Sequence, residues 1–552
     1  MMYPLPNIIT KKILNYLVNF NRWDGIDSFL QKFTLICKEW NKIIASLEIY
    51  NNLYFDYEYL DVLNLLNRYN IKCSLLTHSD PTLIGDKEKY VSIRVTKETY
   101  VSDGNKLNEF VKEFVNLKDL YMYCKFLSTT PPIPDESSYL MSIDFESWYK
   151  NRNISISVTF DIRSGSLTIP TNEFVHLNKY WSKLNIIHGT FSIDMVSNTL
   201  SQPTPLRALV LTNVEISLKS MIFLLQNSPQ LAIIKFQNIN AKSNDSFHND
   251  ILNYLVDTDL PSLVSLSIKS WQREVDFQNM VNFYNRTKIR ILNIQFKSFF
   301  LKDGLNQNIG EYEISNPHIQ SNYFEAIIVT SKGKNQPFNF LSIWKDKSNL
   351  KVITVDNIYG KVDDIKSFTN LSKLTYSSDY HDFLEEILGL SLPKFRNLNI
   401  ENTHYPNLTL NLIEPIHNNK ILTTLNVMDI SQNDLEKLLA FSKSLVEISV
   451  NTVHLNSDSS ITLLIQHIKD NRILQKLFIK HSYPISIDNI LHYVDIYRNG
   501  HQITHLTLPE SPSHCSLEEL ENMITKNPNI FYLGTENKQI QKLLKKYFIQ
   551  WE

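Results

Sequence analysis

The sequence predicts an α/β protein in which short parallel strands alternate with helices along a repeat array, preceded by a small all-helical module. Three observations lead to this prediction. A spacing of apolar residues at the first, fourth and sixth positions returns along most of the chain. Between these copies the apolar residues take up helical spacing, as at Ile461, Leu464, Ile465 and Ile468. Only 12 of the 552 residues are glycine, which disfavours all-β folds built from tight hairpins.

Residues 1–50 show the pattern of a small helical module. Leu5-Pro6 opens a helix, and proline suits a helix start because its missing N–H would have no partner there. A second apolar cluster follows with Leu35, Ile36 and Trp40. The apolar residues of the two clusters are Leu5, Pro6, Ile9, Ile13, Leu14, Leu17, Leu35, Ile36 and Trp40.

These residues resemble the F-box, a three-helix unit in which Leu-Pro begins the first helix and an apolar pair and a tryptophan mark the last. The F-box family docks on the adaptor subunit of SCF-type cullin–RING ubiquitin ligases. The resemblance therefore implies that the residues just named bind such an adaptor or support the binding surface. The stretch between Leu17 and Leu35 is longer than the family's usual connection by about two helical turns. A helical hairpin that caps the array is the alternative.

Residues 51–200 lead from this module into the repeats. A helical linker is predicted over 51–88, because apolar residues share one stripe at Leu60, Leu63, Leu66 and Tyr69. An irregular part of the array is predicted over 89–200. It contains a less regular copy of the spacing at Leu117, Leu120 and Met122 and an alternating strand from Ile154 to Phe160.

The clearest copies of the spacing fill residues 201–535. In the copy at Leu206, Leu209 and Leu211, the last two residues alternate as in a short strand that buries one face. Successive full copies start 21 to 35 residues apart. They start at Leu206, Leu231, Leu263, Ile289, Phe324, Leu350, Leu371, Phe395, Leu422, Leu445, Leu474 and Ile503, and a partial copy starts at Ile530. A capping helix is predicted over residues 536–552, with Ile540 and Leu544 on its apolar stripe.

This repeat resembles the leucine-rich-repeat (LRR) family in its irregular, helix-bearing intracellular form, over roughly residues 200–535. The resemblance implies an LRR solenoid whose strand residues between the buried positions pave a concave, protein-binding surface. Phe478 is the expected hot spot, because binding energy tends to centre on large aromatic residues. The predicted client-binding residues are Asn426, Met428, Glu447, Asn451, Lys476 and Phe478.

Composition argues against several other classes of function. The formal net charge is −2 and the chain has no run of lysine or arginine, so no nucleic-acid or membrane partner is expected. The four cysteines never form a C-x-x-C pair, which favours the cytoplasm or the nucleus. There is no glycine-rich phosphate loop and no H-E-x-x-H motif, so we expect no cofactor, no metal and no enzyme activity. His501 and His505 are predicted to be surface or groove histidines.

Together the two resemblances imply a substrate-recognition subunit of an SCF-type ubiquitin ligase. It would bind a client protein on the LRR surface and the ligase adaptor through the F-box-like module. The first alternative is an LRR protein-interaction scaffold with no ubiquitin link. The second is an enzyme whose site lies in the irregular segment 90–200.

Overall fold

The structure is a computed structural model, and its description covers most residues from 48 onwards. The described residues are 48–55, 72–77, 87–96, 104–125, 140–163, 166–194, 203–240, 247–258, 260–269, 275–286, 288–296, 299–300, 321–331, 341, 344, 347–356, 362–377, 381–401, 412–455, 458–483, 489–498, 501–509, 516–547, 549 and 551. The predicted adaptor-binding residues and the linker stripe at 60–69 lie outside these ranges. The F-box-like module therefore stays a prediction.

The chain divides into two compact units, residues 1–272 and residues 273–552, and we describe each by itself. The strands of the first unit are β1 (Glu48–Phe55), β2 (Lys72–Thr77), β3 (Tyr90–Thr96), β4 (Asp119–Lys125), β5 (Ser155–Asp161), β6 (Ser166–Pro170), β7 (Trp181–Asp194), β8 (Ala208–Ile216), β9 (Ile233–Gln237) and β10 (Ser265–Lys269). Its α-helices are α1 (Gly104–Lys112), α2 (Thr171–Asn178), α3 (Leu218–Gln226) and α4 (Phe247–Asp257).

Every strand pair described in the first unit is parallel. The spatial order is β1, β2, β3, β4, β5, β7, β8, β9, β10, and β6 pairs with the C-terminal half of β7. Parallel neighbours need a crossover between them, and the intervening segments supply it, with helices in several of them. The ladder runs from β3 to β10, so segment 89–200 shares one sheet with the first copies after residue 201.

Strands β1 and β2 correct the expectation of a helical linker over residues 51–88. Residues 51–55 and 72–77 are strands, and β1 pairs with β2 as β2 pairs with β3. The aromatic and branched residues of β1, among them Ile49, Tyr54 and Phe55, favour a strand over a helix. The parallel ladder therefore begins earlier in the chain than the apolar spacing suggests.

The second unit repeats the same plan. Its strands are β11 (Val275–Asp276), β12 (Ile291–Phe296), β13 (Phe299–Phe300), β14 (Ala326–Ser331), β15 (Val352–Asp356), β16 (Lys373–Ser377), β17 (Asn397–Ile400), β18 (Thr424–Ser431), β19 (Glu447–His454), β20 (Lys476–Tyr483), β21 (His505–Thr507) and β22 (Tyr532–Leu533). Its α-helices are α5 (Phe277–Arg286), α6 (Val362–Ile365), α7 (His381–Gly389), α8 (Ile413–Asn418), α9 (Gln432–Phe441), α10 (Asp458–Asp470), α11 (Asn489–Tyr497), α12 (Leu517–Lys526) and α13 (Lys538–Lys546). Strands β12 and β14 to β22 pair in parallel in chain order, and β11 pairs with β13.

Each strand from β8 onward that belongs to a copy of the spacing begins two residues after the first apolar residue of that copy. Leu422 precedes β18, for example, and Leu422, Leu425 and Val427 are all buried. The first apolar residue thus buries the loop that enters the strand, and the next two form the buried face of the strand. Parallel strands alternating with helices confirm the predicted α/β repeat class.

A side-chain amide fixes the loop before two strands of the second unit, β18 and β20. The Asn419 Oδ1 accepts a hydrogen bond from the backbone N–H of Leu422 at 2.9 Å. The Asn471 Oδ1 accepts one from the N–H of Leu474 at 2.8 Å. Each amide nitrogen also donates to a backbone carbonyl earlier in the chain, at 3.0 Å for Asn419 and 2.7 Å for Asn471. These bonds satisfy backbone groups that are buried outside any strand or helix.

His501 occupies the same place before β21. Its Nδ1 accepts a hydrogen bond from the N–H of Ile503 at 3.0 Å, and its Nε2 lies 3.1 Å from the carbonyl oxygen of Ile468. The side chain is buried, with 7% of the residue exposed. The prediction of a surface or groove histidine is therefore wrong for His501. A neutral imidazole carries one acceptor and one donor, so it replaces the asparagine amide in this loop.

Left-handed residues mark a bend in the long strands of the first unit. His188, Asn213 and Asn238 all have positive φ angles, of 54°, 53° and 51°. The residues just before them, Ile187, Thr212 and Gln237, are paired across β7, β8 and β9. The three left-handed residues therefore lie side by side across the sheet. The Asn238 Nδ2 donates to the Asn213 Oδ1 at 2.9 Å. Asparagine tolerates this conformation better than most residues, and the stacked amides stabilise the bend.

The last helix packs as a cap. Ile540 and Leu544 on α13 are buried, whereas Lys542 and Lys545 are exposed. The Lys546 Nζ lies 2.6 Å from an oxygen of Glu521 on α12. The amphipathic helix thus covers the end of the second unit's core with its apolar stripe.

Candidate protein-interaction surface

The strands of the second unit present one buried face and one open face. On β18 the side chains of Leu425 and Val427 are buried, and those of Thr424 and Asn426 lie on the opposite face and are partly exposed. The same alternation holds on β17 and β19. We call the face opposite the buried residues the open face. Its side chains fall into rows, because the parallel register places equivalent positions side by side, about 5 Å apart.

Two rows define this open face. The first row is Ile291, Ala326, Val352, Lys373, Asn397, Thr424, Glu447, Lys476, His505 and Tyr532. The second row is Asn293, Ile328, Thr354, Thr375, Asn399, Asn426, Ser449, Phe478 and Thr507. Residues far apart in sequence therefore form continuous lines across the strands.

The structure brings the six predicted client-binding residues onto three neighbouring strands, β18, β19 and β20. Asn426 and Phe478 lie in the second row with Ser449 between them. Met428 and Asn451 lie one open-face position further along their strands, and both are at least partly exposed. Their role in binding stays a prediction.

The two charged members of the predicted set engage each other. The Lys476 Nζ lies 3.1 Å from the Glu447 Oε2, and the two residues are register partners on β19 and β20. Their charges therefore largely cancel on the open face. A charged partner would gain little from this pair, because the two charges already neutralise each other.

Four aromatic side chains cluster beside this pair. Phe478 packs edge-on against Tyr532 with ring centroids 5.8 Å apart and against His505 at 6.4 Å. His505 stacks on Tyr532 at 6.1 Å with 15° between the rings. Phe531 lies 6.2 Å from His505 and is 57% exposed. Ring centroids at these distances are in favourable contact, so we define Phe478, His505, Phe531 and Tyr532 as the aromatic cluster.

Sequence reasoning missed Phe531 and Tyr532 because the copy that begins at Ile530 is partial. A signal was nevertheless present. Tyr532 stands two residues after Ile530, as Lys476 stands after Leu474 and His505 stands after Ile503. That position is the first open-face residue of each strand, so an aromatic residue there extends the first row by one strand.

His505 is uncharged in this setting near neutral pH. Burial lowers the pKa of His505, the positive charge of Lys476 lowers it further, and Glu447 raises it in part. The His505 Nδ1 lies 2.8 Å from the Thr504 Oγ1. A neutral ring that stacks on Tyr532 adds apolar area to the cluster and leaves its net charge unchanged.

The open face of the first unit carries a different arrangement, centred on the buried carboxylate of Asp161. Tyr123 Oη donates a hydrogen bond to the Asp161 Oδ2, and Arg163 Nε donates to the same oxygen at 2.9 Å. The Nδ1 of His188 lies 3.2 Å from the Asp161 Oδ1. Burial raises the pKa of Asp161, but the hydrogen bonds of Tyr123 and His188 and the charge of Arg163 outweigh it, so the pKa is lowered.

Both oxygens of Asp161 are therefore engaged, and the carboxylate is held in its charged form. Such a group is poorly placed to accept a proton from a substrate. The cluster joins three strands of the irregular segment by hydrogen bonds, which makes it a structural element of the sheet. The alternative of an enzyme site in residues 90–200 gains no support from it.

Within the described ranges, no group of three or more histidine, cysteine, aspartate and glutamate side chains is arranged to hold a metal ion. Among the helices of the described part of the chain, none combines the length and the apolar character needed to cross a bilayer.

No protein-family model matches the sequence, and no curated protein matches it significantly. Among solved structures, an LRR protein of Leptospira interrogans is similar with a TM-score of 0.37 and 12% identity, over 82% of this chain and 98% of that one. A chain of the Toll–Spatzle complex of Drosophila is similar with a TM-score of 0.35 and 10% identity, over 88% of this chain and 60% of that one. At TM-scores this low the similarities carry no weight, and the fold rests on the strand pairing described above.

Proposed function

We propose that this chain is a protein-binding repeat array whose client lies on the open face of the second unit, anchored at the aromatic cluster. The observation that carries this proposal is the cluster itself: partly exposed rings next to a self-paired charge pair and the polar residues of both rows. Binding hot spots have this composition, with aromatic anchors inside a ring of polar contacts that exclude water.

The rows also suit a client that lies across several strands. The second row offers amide and hydroxyl groups at Asn399, Asn426 and Ser449 before it reaches Phe478. Amides and hydroxyls can donate and accept hydrogen bonds without a charge of their own. An uncharged or mixed-charge segment of a protein is therefore the partner that this surface favours.

As the more specific form of the proposal, the chain acts as the substrate-recognition subunit of an SCF-type ubiquitin ligase. The support for this form comes from the F-box-like residues, beginning with Leu5-Pro6 and ending at Trp40. In such a complex the chain supplies effective concentration and orientation of the client, and partner subunits carry out the ubiquitin transfer.

Affinity purification of the full chain and three variants tests both the protein-binding proposal and its ubiquitin-ligase form. Phe478→Ala should lower client recovery at least tenfold, because truncating an aromatic anchor commonly costs about 2 kcal/mol or more. Phe441→Ala is the matched control, since Phe441 is a phenylalanine even more exposed (57%) than the partly exposed Phe478 but lies on α9. The double variant Leu5→Ala, Pro6→Ala should lose the ligase adaptor and keep the client.

The outcomes distinguish a failure of the ubiquitin-ligase form from a failure of the proposed binding surface. If the unmutated chain recovers a client but never the adaptor, the ubiquitin-ligase form is wrong and the scaffold without a ubiquitin link replaces it. If Phe478→Ala and Phe441→Ala recover equal amounts of client, the binding surface is not the aromatic cluster.

A further inference from the structure

The open face of the first unit holds a diagonal line of lysines. Lys183 lies on β7, Lys235 on β9 and Lys269 on β10. Lys183 shares a row with Ala208 and Ile233, and Lys235 lies one row further along the strands. Lys269 lies one row beyond Lys235. The three side chains therefore step across the sheet, over a Cα span of about 20 Å from Lys183 to Lys269.

No carboxylate shares this part of the face. The described open-face residues of β7 to β10 up to the left-handed bend include three lysines and no aspartate or glutamate. None of the three lysine side chains forms a hydrogen bond or an ion pair within the described part of the chain. The carboxylates around this part of the face are already engaged. Asp119 on β4 is hydrogen-bonded to Ser155, and Asp161 on β5 is held as described above. Glu215, which lies on β8 beyond the bend, accepts a hydrogen bond from the Thr190 Oγ1 at 3.2 Å.

Lys183 is half-buried and lies near the like charge of Lys235. Burial lowers the pKa of Lys183, and the positive charge of Lys235 lowers it further. A half-buried ammonium group beside a like charge is unfavourable unless an anion neutralises it. Among the described residues, no carboxylate neutralises Lys183 as Glu447 neutralises Lys476 in the second unit.

Apolar and hydroxyl groups lie between the lysines. Ile233 is 38% exposed in the row of Lys183, and Val210 is partly exposed in the row of Lys235. Ser265 and Ser267 border them on β10 and can donate hydrogen bonds. Spaced cations with apolar patches and hydroxyls between them complement a chain that alternates acidic and apolar or polar side chains.

We propose that the Lys183–Lys235–Lys269 diagonal binds an extended acidic segment of a partner protein, with carboxylate or phosphorylated side chains. A segment of about six extended residues covers the span of the diagonal. A protein fits this face better than a nucleic acid, because exposed Ile233 and partly exposed Val210 lie between the charges and the net charge of the chain is −2. The proposal does not depend on the function of the aromatic cluster.

Fluorescence anisotropy on the full chain tests it directly. The probe is a labelled peptide of about twelve residues made of repeated Glu-Glu-Ser, with and without phosphate on the serines. At low salt both forms should bind saturably, and raising the salt should weaken them because the charges lie within a Debye length of the surface. The triple variant Lys183→Gln, Lys235→Gln, Lys269→Gln should weaken binding about tenfold or more.

The matched control is the triple variant Lys538→Gln, Lys542→Gln, Lys545→Gln on α13. It removes the same net charge from three exposed lysines of the cap, so it should bind the peptide as the unmutated chain does. Lys235 is exposed, and Lys235→Gln alone should fold normally and weaken binding by a smaller factor. This single variant keeps the test valid if the triple variant is unstable.

Several results would overturn the proposal. One is no saturable binding of either acidic peptide at low salt. Another is equal weakening by the two triple variants, which would show an effect of net charge alone. If a Lys-Lys-Ser control peptide bound as tightly as the acidic peptides, binding would not depend on the negative charge of the peptide. Tighter binding of a single-stranded oligothymidine of about twelve nucleotides, lost in the diagonal variant, would make this a nucleic-acid surface.

Discussion

At the scale of single residues, His501 shows how position in a repeat decides the role of a side chain. Asn419 and Asn471 fix the loops before β18 and β20 through their amides, and His501 fixes the loop before β21 through its ring. Burial lowers the pKa of His501 and the charge of Arg472 lowers it further, while hydrogen bonds to backbone groups raise it in part. The folded state therefore favours the neutral ring.

This preference makes stability depend on pH. Because the pKa of His501 is lower in the folded state, the unfolded chain takes up the proton first as pH falls through the ordinary histidine value of about 6.5. The contribution of the neutral His501 ring to stability is fully present above that pH and is lost below it, by on the order of 1 kcal/mol at about pH 5.5. His501→Asn should remove this part of the pH dependence and keep the stability near neutral pH.

Urea unfolding followed by circular dichroism at about pH 7.5 and pH 5.5 measures the effect. His481→Asn is the control, because His481 is exposed on β20. If His501→Asn and the unmutated chain lose equal stability on acidification, the buried ring is not the titrating group.

Single residues also show which features could be predicted from the sequence and which could not. Phe478 and His505 could be assigned to the open face from the apolar spacing alone, because alternation fixes the face of a strand residue. His501 was misassigned because its burial depends on backbone bonds of a loop, which no periodicity reveals. Asn419, Asn471 and His501 each accept a hydrogen bond from the backbone N–H two residues later. His501 stands one residue closer to the first apolar residue of its copy than the two asparagines do, so the sequence spacing does not reveal the match.

At the scale of elements, the alternation along one strand can be tested with adjacent residues. Leu425 on β18 is fully buried, and Asn426 beside it lies on the open face. Leu425→Asp should destabilise the second unit by more than the roughly 2–5 kcal/mol of a leucine-to-alanine change, because a carboxylate would be buried without a partner. Asn426→Asp should change the free energy of unfolding by about 0.5 kcal/mol or less.

Circular dichroism during urea unfolding compares the two variants with the unmutated chain. Neighbouring repeats should unfold with β18, since each repeat is covered by the next. Equal stability of Leu425→Asp and Asn426→Asp would contradict the assignment of buried and open faces.

The start of each strand in the main array was predictable because one physical rule governs it. The first apolar residue of a copy buries the loop, so the strand begins two residues later, as with Leu422 and Thr424. Strands β1 and β2 were not predictable from this spacing, because their sequences do not carry it. They are held in the sheet by pairing with β3, a contact that is distant in sequence.

At the scale of the whole molecule, the two units have open faces of different chemistry. The first carries the lysine diagonal and the Asp161 cluster, and the second carries the aromatic cluster and the paired Glu447 and Lys476. Neither grouping follows from the sequence, because each depends on the register of strands that are distant in sequence. The composition of the chain, with a net charge of −2, hides the local excess of positive charge.

Site-specific photo-crosslinking tests the central claim, that the open face of the second unit is the client-binding surface. A benzophenone amino acid is placed at position 478 in one sample and at position 441, on α9, in another. We expect a crosslink from position 478 to a client whose recovery falls in Phe478→Ala, and none from position 441. A crosslink to that client from position 441 but not from position 478 would contradict the claim and move the binding surface to the helical side.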